Sequence, residues 1–304
     1  RDRLVPDIRL KMCYVHWIKV KELISAGIWN SISRLSQVLS DGLDLVITNI
    51  WISAYLMGEL SIAQQIPTYI STLTNTLINL FSPNLTMYYA KDDTEAVVKE
   101  LKLSMKFSSF FVNIIFCVLV VFGKYFVQLW VPNQDVNLIY SLLVVIMMSL
   151  MVSGVTTSLN NVFLITNRLK VNSIFWLIIS FTNVLLVFIY LNTTSLGIYA
   201  VAGVSKVTGI LGNLIFVPLY ACKCLKIKWN TFYPIIFRYI GTTFIMMIAF
   251  FGIKRLYVLP INWITFFVVC VIAGVAGCIV NFFVLLNHTE RSIMKNKIMA
   301  RVRK

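Results

Sequence analysis

Residues 30–49 read NSISRLSQVLSDGLDLVITN. They sit inside an apolar run, 23–51, that is long enough to cross a bilayer, for which about 20 apolar residues suffice. Yet the run carries Arg34, Gln37, Asp41 and Asp44. At about 100° per residue these four fall with Asn30 and Thr48 on one face about 80° wide, and Leu, Ile and Val fill most of the remainder. A full charge at the centre of a lipid-facing helix costs about 2.5–3.5 kcal/mol. Three such charges together rival the stability of a whole domain, so this face is expected to meet protein or water. Arg34 and Asp44 stand about 15 Å apart along the axis at 1.5 Å per residue. The stripe therefore runs through much of the membrane.

The rest of the chain explains why a membrane is the right solvent to consider. Of its 304 residues 59% are hydrophobic and 13% charged, against about 25% charged in soluble proteins. The windows 60–90, 136–167 and 171–205 hold no full charge. Such long continuous runs fit helices rather than the alternating segments of about 10 residues in a β-barrel. The expected fold class is all-α, a polytopic membrane protein with eight spanning helices near 23–51, 55–81, 105–129, 137–165, 171–191, 197–221, 233–253 and 261–286. Pro83, Pro132-Asn133, the NTTS at 192–195 and Pro260 mark the breaks.

Charge placement orients the array. The formal net charge is +15, which in a soluble chain would point to nucleic acid. Here 21 of the 27 Lys and Arg residues lie in 1–22, 84–106, 166–172, 221–234 and 288–304, while 123–137 and 252–262 hold three. An excess of basic residues in cytoplasmic loops puts both ends of the chain on the cytoplasmic side of the membrane. The longest inner connection, YYAKDDTEAVVKELKLSMK, reads as an amphipathic helix, with Asp92-Asp93 as acids at its start. The chain opens RDRLVP, with neither Met nor a signal-peptide pattern, as expected of an internal piece of a longer protein.

Polar stripes recur. Gln64, Thr68, Ser71, Asn75 and Asn79 share a face of the second helix, where Pro67 removes a backbone hydrogen bond and promotes a kink. The fourth carries Ser149, Ser153, Thr156, Thr157 and Asn160. The sixth carries Lys206 and Asn213 amid Gly203, Gly209 and Gly212, which permit close helix approach. Hydroxyl and amide stripes have two uses: they join helices by hydrogen bonds, or they line a water-filled path, the usual place of ionisable groups in a membrane. Six cysteines, including a C-x-C at Cys222 and Cys224, show no zinc spacing and read as inert thiols. His16 and His288, the two histidines, fall in the basic ends. No nucleotide-binding, G-x-S-x-G or H-E-x-x-H motif occurs, and the outer loops are too short to hold a catalytic domain, so no enzyme activity is expected.

Several stretches resemble bacterial lipid-linked oligosaccharide and polysaccharide (O-antigen type) flippases, of the superfamily shared with multidrug extruders. They are LISAGIWNSISRLSQVLSDGLDLVITN, MGELSIAQQIPTYISTLTNTLINLFSPNLTMYYAKDD, FGKYFVQLWVPNQD, NNVFLITNRLKVNSIFWLI and GIYAVAGVSKVTGILGNLIFVPLYACKCL. The resemblance implies a six-helix bundle at 23–221, a pair of further helices at 222–287, a cytoplasmic linker at 1–22 and a basic cytoplasmic tail at 288–304. It also implies a first helical bundle, absent from this sequence, facing the second across a cavity. The implied activity is movement of an undecaprenyl-pyrophosphate glycan across the bacterial inner membrane for surface polysaccharide (lipopolysaccharide) biosynthesis. A polysaccharide polymerase and chain-length machinery are implied partners. On that reading Asn30, Arg34, Gln37, Asp41, Asp44, Gln64, Thr68, Asn75, Asn79, Asn160 and Lys206 line the substrate pathway. Arg34 and Lys206 would face pyrophosphate, and Asp41 and Asp44 would take Na⁺ or H⁺ or bind sugar hydroxyls. An exporter of small cations on the same fold, and a membrane glycan polymerase or transferase, are the alternatives.

Overall fold

The computed structural model describes residues 17–256 and 262–284. The basic tail, Cys13, both histidines and most of the expected linker lie outside the described residues. Helix α1 runs Trp17–Ile47 and continues through a wider π turn, Thr48–Ile52, so helix begins six residues earlier than expected. Ser53 then breaks it in an extended conformation and its hydroxyl caps α2 (Ala54–Asn79) by accepting from the Leu56 amide at 3.1 Å. Pro67 lies inside α2. A short α3 (Ser82–Ala90) follows, with Pro83 in its first turn.

The expected amphipathic segment is not a separate helix. It is the start of α4, a continuous rod from Thr94 to Trp130. Asp93 caps that rod, accepting from the Ala96 amide at 2.9 Å, which is the ordinary helix-start role read from the sequence. Helix α5 (Val136–Thr156), capped by Asp135, passes through a 3₁₀ turn at Thr157–Leu159 into α6 (Asn160–Ile165). Helix α7 is Leu169–Thr193. The NTTS break leads to Gly197, whose φ of 52° and ψ of −125° belong to glycine territory. From there α8 (Ile198–Leu211), a π turn at Gly212–Phe216 and α9 (Val217–Leu225) form one rod. Helices α10 (Tyr233–Leu256) and α11 (Trp263–Val284) complete the set.

Among the described residues six rods are long and apolar enough to cross a membrane: α4, α5–α6, α7, α8–α9, α10 and α11. The chain is a polytopic helical membrane protein. Rods α1 and α2 stand where spans were expected, but their polar stripes dilute them below that threshold, save for the apolar stretch Gly42–Ile52. Among the described residues eight long rods are therefore present, and six of them have span composition.

The packing order places the polar faces. Helix α4 is the innermost, with 61% of an apolar 18-residue stretch buried, because α5, α2, α10 and α11 all pack on it. Helix α5 touches α4, α2, α8 and α10, and α1 leans on α7 at the far side. One apolar core, around Leu60, Phe116, Leu143 and Phe250, fills one end of the bundle. A second, around Leu101, Phe163, Phe232 and Tyr239, fills the end where the Lys- and Arg-rich connections lie. Buried amides dock the last helix: Asn113 Nδ2 donates to Asn281 Oδ1 at 3.0 Å, and Asn281 Nδ2 donates to the Phe110 carbonyl at 3.0 Å. Lys254 ties α10 to α4 by donating to the Val121 carbonyl at 2.6 Å.

Candidate functional site

Helix α2 presents its polar face to α5 and α8 across a cavity of about 250 Å³. Gln64, Thr68, Ser71, Thr72 and Asn75 line it from α2, Ser149 and Ser153 from α5, and Lys206 from α8. Pro67 is also in the wall; having no N–H, it leaves the carbonyl one turn back without its usual helical donor. A second void of about 30 Å³, between Ser71, Thr74, Asn75, Ser153 and Thr157, continues the polar seam along α2 and α5. That is about the volume of one water molecule.

The hydroxyls are tolerated in an apolar bundle because their protons go to the helix backbone. Thr68 donates to the Gln64 carbonyl at 2.8 Å, Thr72 to Thr68 at 2.9 Å and Ser149 to Ile146 at 2.9 Å. Their oxygens then face the cavity as acceptors. Donors come from the side-chain amides of Gln64 and Asn75 and from the Lys206 ammonium. Such a wall can bind a polyhydroxylated ligand, whose hydroxyls both donate and accept, with a single anionic group beside Lys206. Among the described residues lining the cavity none is acidic. At 250 Å³ the space lies below the roughly 300–1,000 Å³ of sites that enclose a small ligand whole, and it fits part of an oligosaccharide.

The α1 stripe divides. Asp44 is only 3% exposed, and its Oδ2 accepts from Ser205 Oγ of α8 at 2.9 Å. Thr48 is buried one turn on and donates back to the Asp44 carbonyl at 2.7 Å. This is a buried polar tie between α1 and α8, and it lies outside the cavity lining. Asn30 and Arg34 are exposed. The side chains of Gln37 and Asp41 are outside the described set. Helix α1 meets α7 through other residues: Ser33 and Ser173 hydroxyls lie 2.6 Å apart, and Ser180 donates to the Ser36 carbonyl at 3.0 Å. Thus the cavity gathers Gln64, Thr68, Asn75 and Lys206 of the expected pathway residues and leaves out Asn79 and Asn160, both exposed. Asn213, read onto the Lys206 face, joins α8 to α5 instead, accepting from Thr156 Oγ1 at 3.3 Å. Of the three nearby glycines, Gly212 alone allows a tight approach: a Cβ there would stand 3.0 Å from Trp176.

Two ionisable residues of the interior escaped the sequence reading. Glu59 is 1% exposed, and the polar group beside its carboxylate is the Tyr55 hydroxyl, one turn earlier on α2. Its signal was an acid one turn inside an apolar helix, on the face that continues through Ala63, Pro67 and Ile70. Lys106, assigned to a basic connection, is 8% exposed on the inner face of α4. Among the described residues no group of three or more His, Cys, Asp or Glu could hold a metal ion.

No protein-family model matches the chain, and no solved structure matches it. The chain is similar to a Bacillus subtilis (strain 168) protein described as the uncharacterized membrane protein EpsK. The two are 26% identical over 230 residues, covering 76% of this chain and 45% of that protein. The match thus spans less than half of the relative's length.

Proposed function

We propose that this chain is one lobe of a carrier that passes the headgroup of a lipid-linked glycan across the bacterial inner membrane while its prenyl tail stays in the lipid. The observation that carries the reading is the cavity between α2, α5 and α8, walled by hydroxyls and amides with Lys206 as its charged group. A sugar that crosses beside such a wall exchanges water hydrogen bonds for protein ones instead of meeting hydrocarbon, where an unpaired hydroxyl costs several kcal/mol. Lys206 supplies a counter-charge for a phosphate or an acidic sugar. The exposed Asn30 and Arg34 of α1 front the first bundle, and transport proceeds by rocking of the two bundles about the site. In this arrangement α1 and α2 cross the membrane with the six apolar rods and both ends of the chain face the cytoplasm. Polymerising and chain-length proteins would receive the flipped glycan, and Na⁺ or H⁺ at Asp41 or Asp44 would supply the coupling.

The test is a flip assay. Full-length protein in proteoliposomes is given a lipid-linked oligosaccharide in the outer leaflet, and protection from an added glycosidase is followed. The double variant Asn75→Leu, Lys206→Ala is expected to slow protection at least tenfold with insertion unchanged. Wild-type protein that protects no glycan, or a double variant that protects it at the wild-type rate, would reject the reading.

A further inference from the structure

On the face of α8–α9 turned toward α7 lies a second concavity, of about 520 Å³. Ile179 of α7 and Leu211, Ile215 and Leu219 of the α8–α9 rod make its wall almost wholly apolar, and Tyr220 and Lys223 close one end. Phe175 stacks on Phe216 at 3.7 Å and deepens it. An apolar groove on the outside of a membrane protein is ordinary; one that ends in a cation is more selective. We infer that this groove is a fixed seat for one anionic glycerophospholipid, with an acyl chain along the α7–α8 wall and the phosphate at Lys223.

Length, charge and position support this occupant. From Thr208 to Lys223, both in the lining, the rod rises about 22 Å at 1.5 Å per residue. One leaflet with its headgroup layer is also about 20–22 Å thick. A lipid with its phosphate at Lys223 would reach the bilayer midplane near Thr208. Tyr220 Oη donates to the Arg168 carbonyl at 3.3 Å, which brings the exposed, basic start of α7 to the same mouth. Lys170, nearby in sequence, is engaged elsewhere, over the Trp29 ring at 5.5 Å. Lys223 and Arg168 are therefore the pair that meets a phosphate. Lys206 in the polar cavity is about 25 Å from Lys223 along the rod. A cargo phosphate near Lys206 and a phosphate at Lys223 are separate sites, so the groove holds a resident lipid of the membrane and not the cargo.

Native mass spectrometry of the full chain, with phosphatidylglycerol, phosphatidylcholine or polyprenyl phosphate added singly and in pairs, tests this. Phosphatidylglycerol is expected to remain bound in preference to the zwitterionic lipid and to polyprenyl phosphate. Lys223→Glu should weaken its retention by about fivefold or more, the scale of one cation beside an anionic lipid. Ile215→Trp, which fills the groove, should lower it for all lipids. Val271→Trp, on the exposed face of α11, should change nothing. Equal retention of phosphatidylglycerol by wild type and Lys223→Glu would overturn the inference, as would equal binding of phosphatidylcholine or displacement by polyprenyl phosphate. The wild-type lipid comparison stands even if a tryptophan variant fails to fold.

Discussion

At the scale of single residues, the acids Asp44 and Glu59 are both buried, but their surroundings differ. Asp44 accepts from the buried Ser205 hydroxyl; Glu59 has the hydroxyl of the exposed Tyr55 beside it. Burying a carboxylate is costly, and one exposed hydroxyl offsets only part of the loss, so Glu59 is a liability that a bundle chosen for stability alone would lack. Glu59→Leu is expected to raise the thermal midpoint in detergent. A lower midpoint would mean that the Tyr55–Glu59 contact stabilises the bundle by more than burial of the carboxyl costs. Asp44 should behave oppositely. Asp44→Leu strands the Ser205 hydroxyl and lowers stability by roughly 1–3 kcal/mol, whereas Asp44→Asn keeps an acceptor and leaves stability close to wild type. If Asp44→Asn is stable yet flips glycan slowly, the charge serves coupling; full flipping would leave Asp44 as a helix tie. The opening segment thus holds a buried tie at one end and an open polar face at the other. Periodicity gave the polar face of α1, but which part of it a neighbour covers depends on the tilt of α8, which α1 alone does not encode.

At the scale of elements, polar pairs and missing side chains fix how the helices meet. Lipid chains offer no hydrophobic driving force between helices, so association rests on close packing and interhelical hydrogen bonds. Asn281 of α11 supplies one such contact by pairing with Asn113 inside α4's packed face. Asn281→Leu orphans the Asn113 amide, and we expect a loss of about 1–2 kcal/mol, read as earlier exposure of Cys117 to a thiol probe, because that thiol lies under the pair. Gly154 supplies another kind. A Cβ there would stand 2.7 Å from Val112 Cγ1, whose β-branched side chain is stiff. Gly154→Val should therefore cost about 1–3 kcal/mol through overpacking; an unchanged midpoint would show that α4 and α5 can separate freely. Six of the long rods among the described residues were legible as spans in hydropathy, and α1 and α2 were placed by their polar periodicity and breaks, with α1 beginning six residues earlier than expected. The fusion of the amphipathic connection with α4 was not, since a charged segment and an apolar one share the same helical propensity and nothing at Leu103–Met105 stops the helix. The cavity wall was legible on α2, where its hydroxyls repeat at helical spacing. Glu59 was overlooked because one acid near a helix end reads as interfacial until the helices around it are placed.

At the scale of the molecule, α1 and α2 are the two rods whose composition falls short of a span. The proposed glycan pathway needs both to cross, because the cavity wall lies along α2 and would leave the membrane with it. The cost of their polar faces does not forbid this: hydroxyls bonded to their own backbone and a carboxylate tied to Ser205 remove much of the penalty that lipid-facing groups would carry. Crossing has a geometric consequence. The α1–α2 turn at Ala54 and the α4–α5 turn at Gln134 must share one side, and Lys91 and Lys228 the other. All four positions are exposed. Single cysteines at these sites, in a background freed of native cysteine, are expected to divide two and two. A membrane-impermeant maleimide should label Ala54→Cys and Gln134→Cys in intact cells, and Lys91→Cys and Lys228→Cys only after permeabilisation. Labelling of Ala54→Cys solely after permeabilisation would lay α1 and α2 along the inner surface, remove the polar cavity from the bilayer, and end the case for a glycan carrier while leaving the six apolar crossings in place.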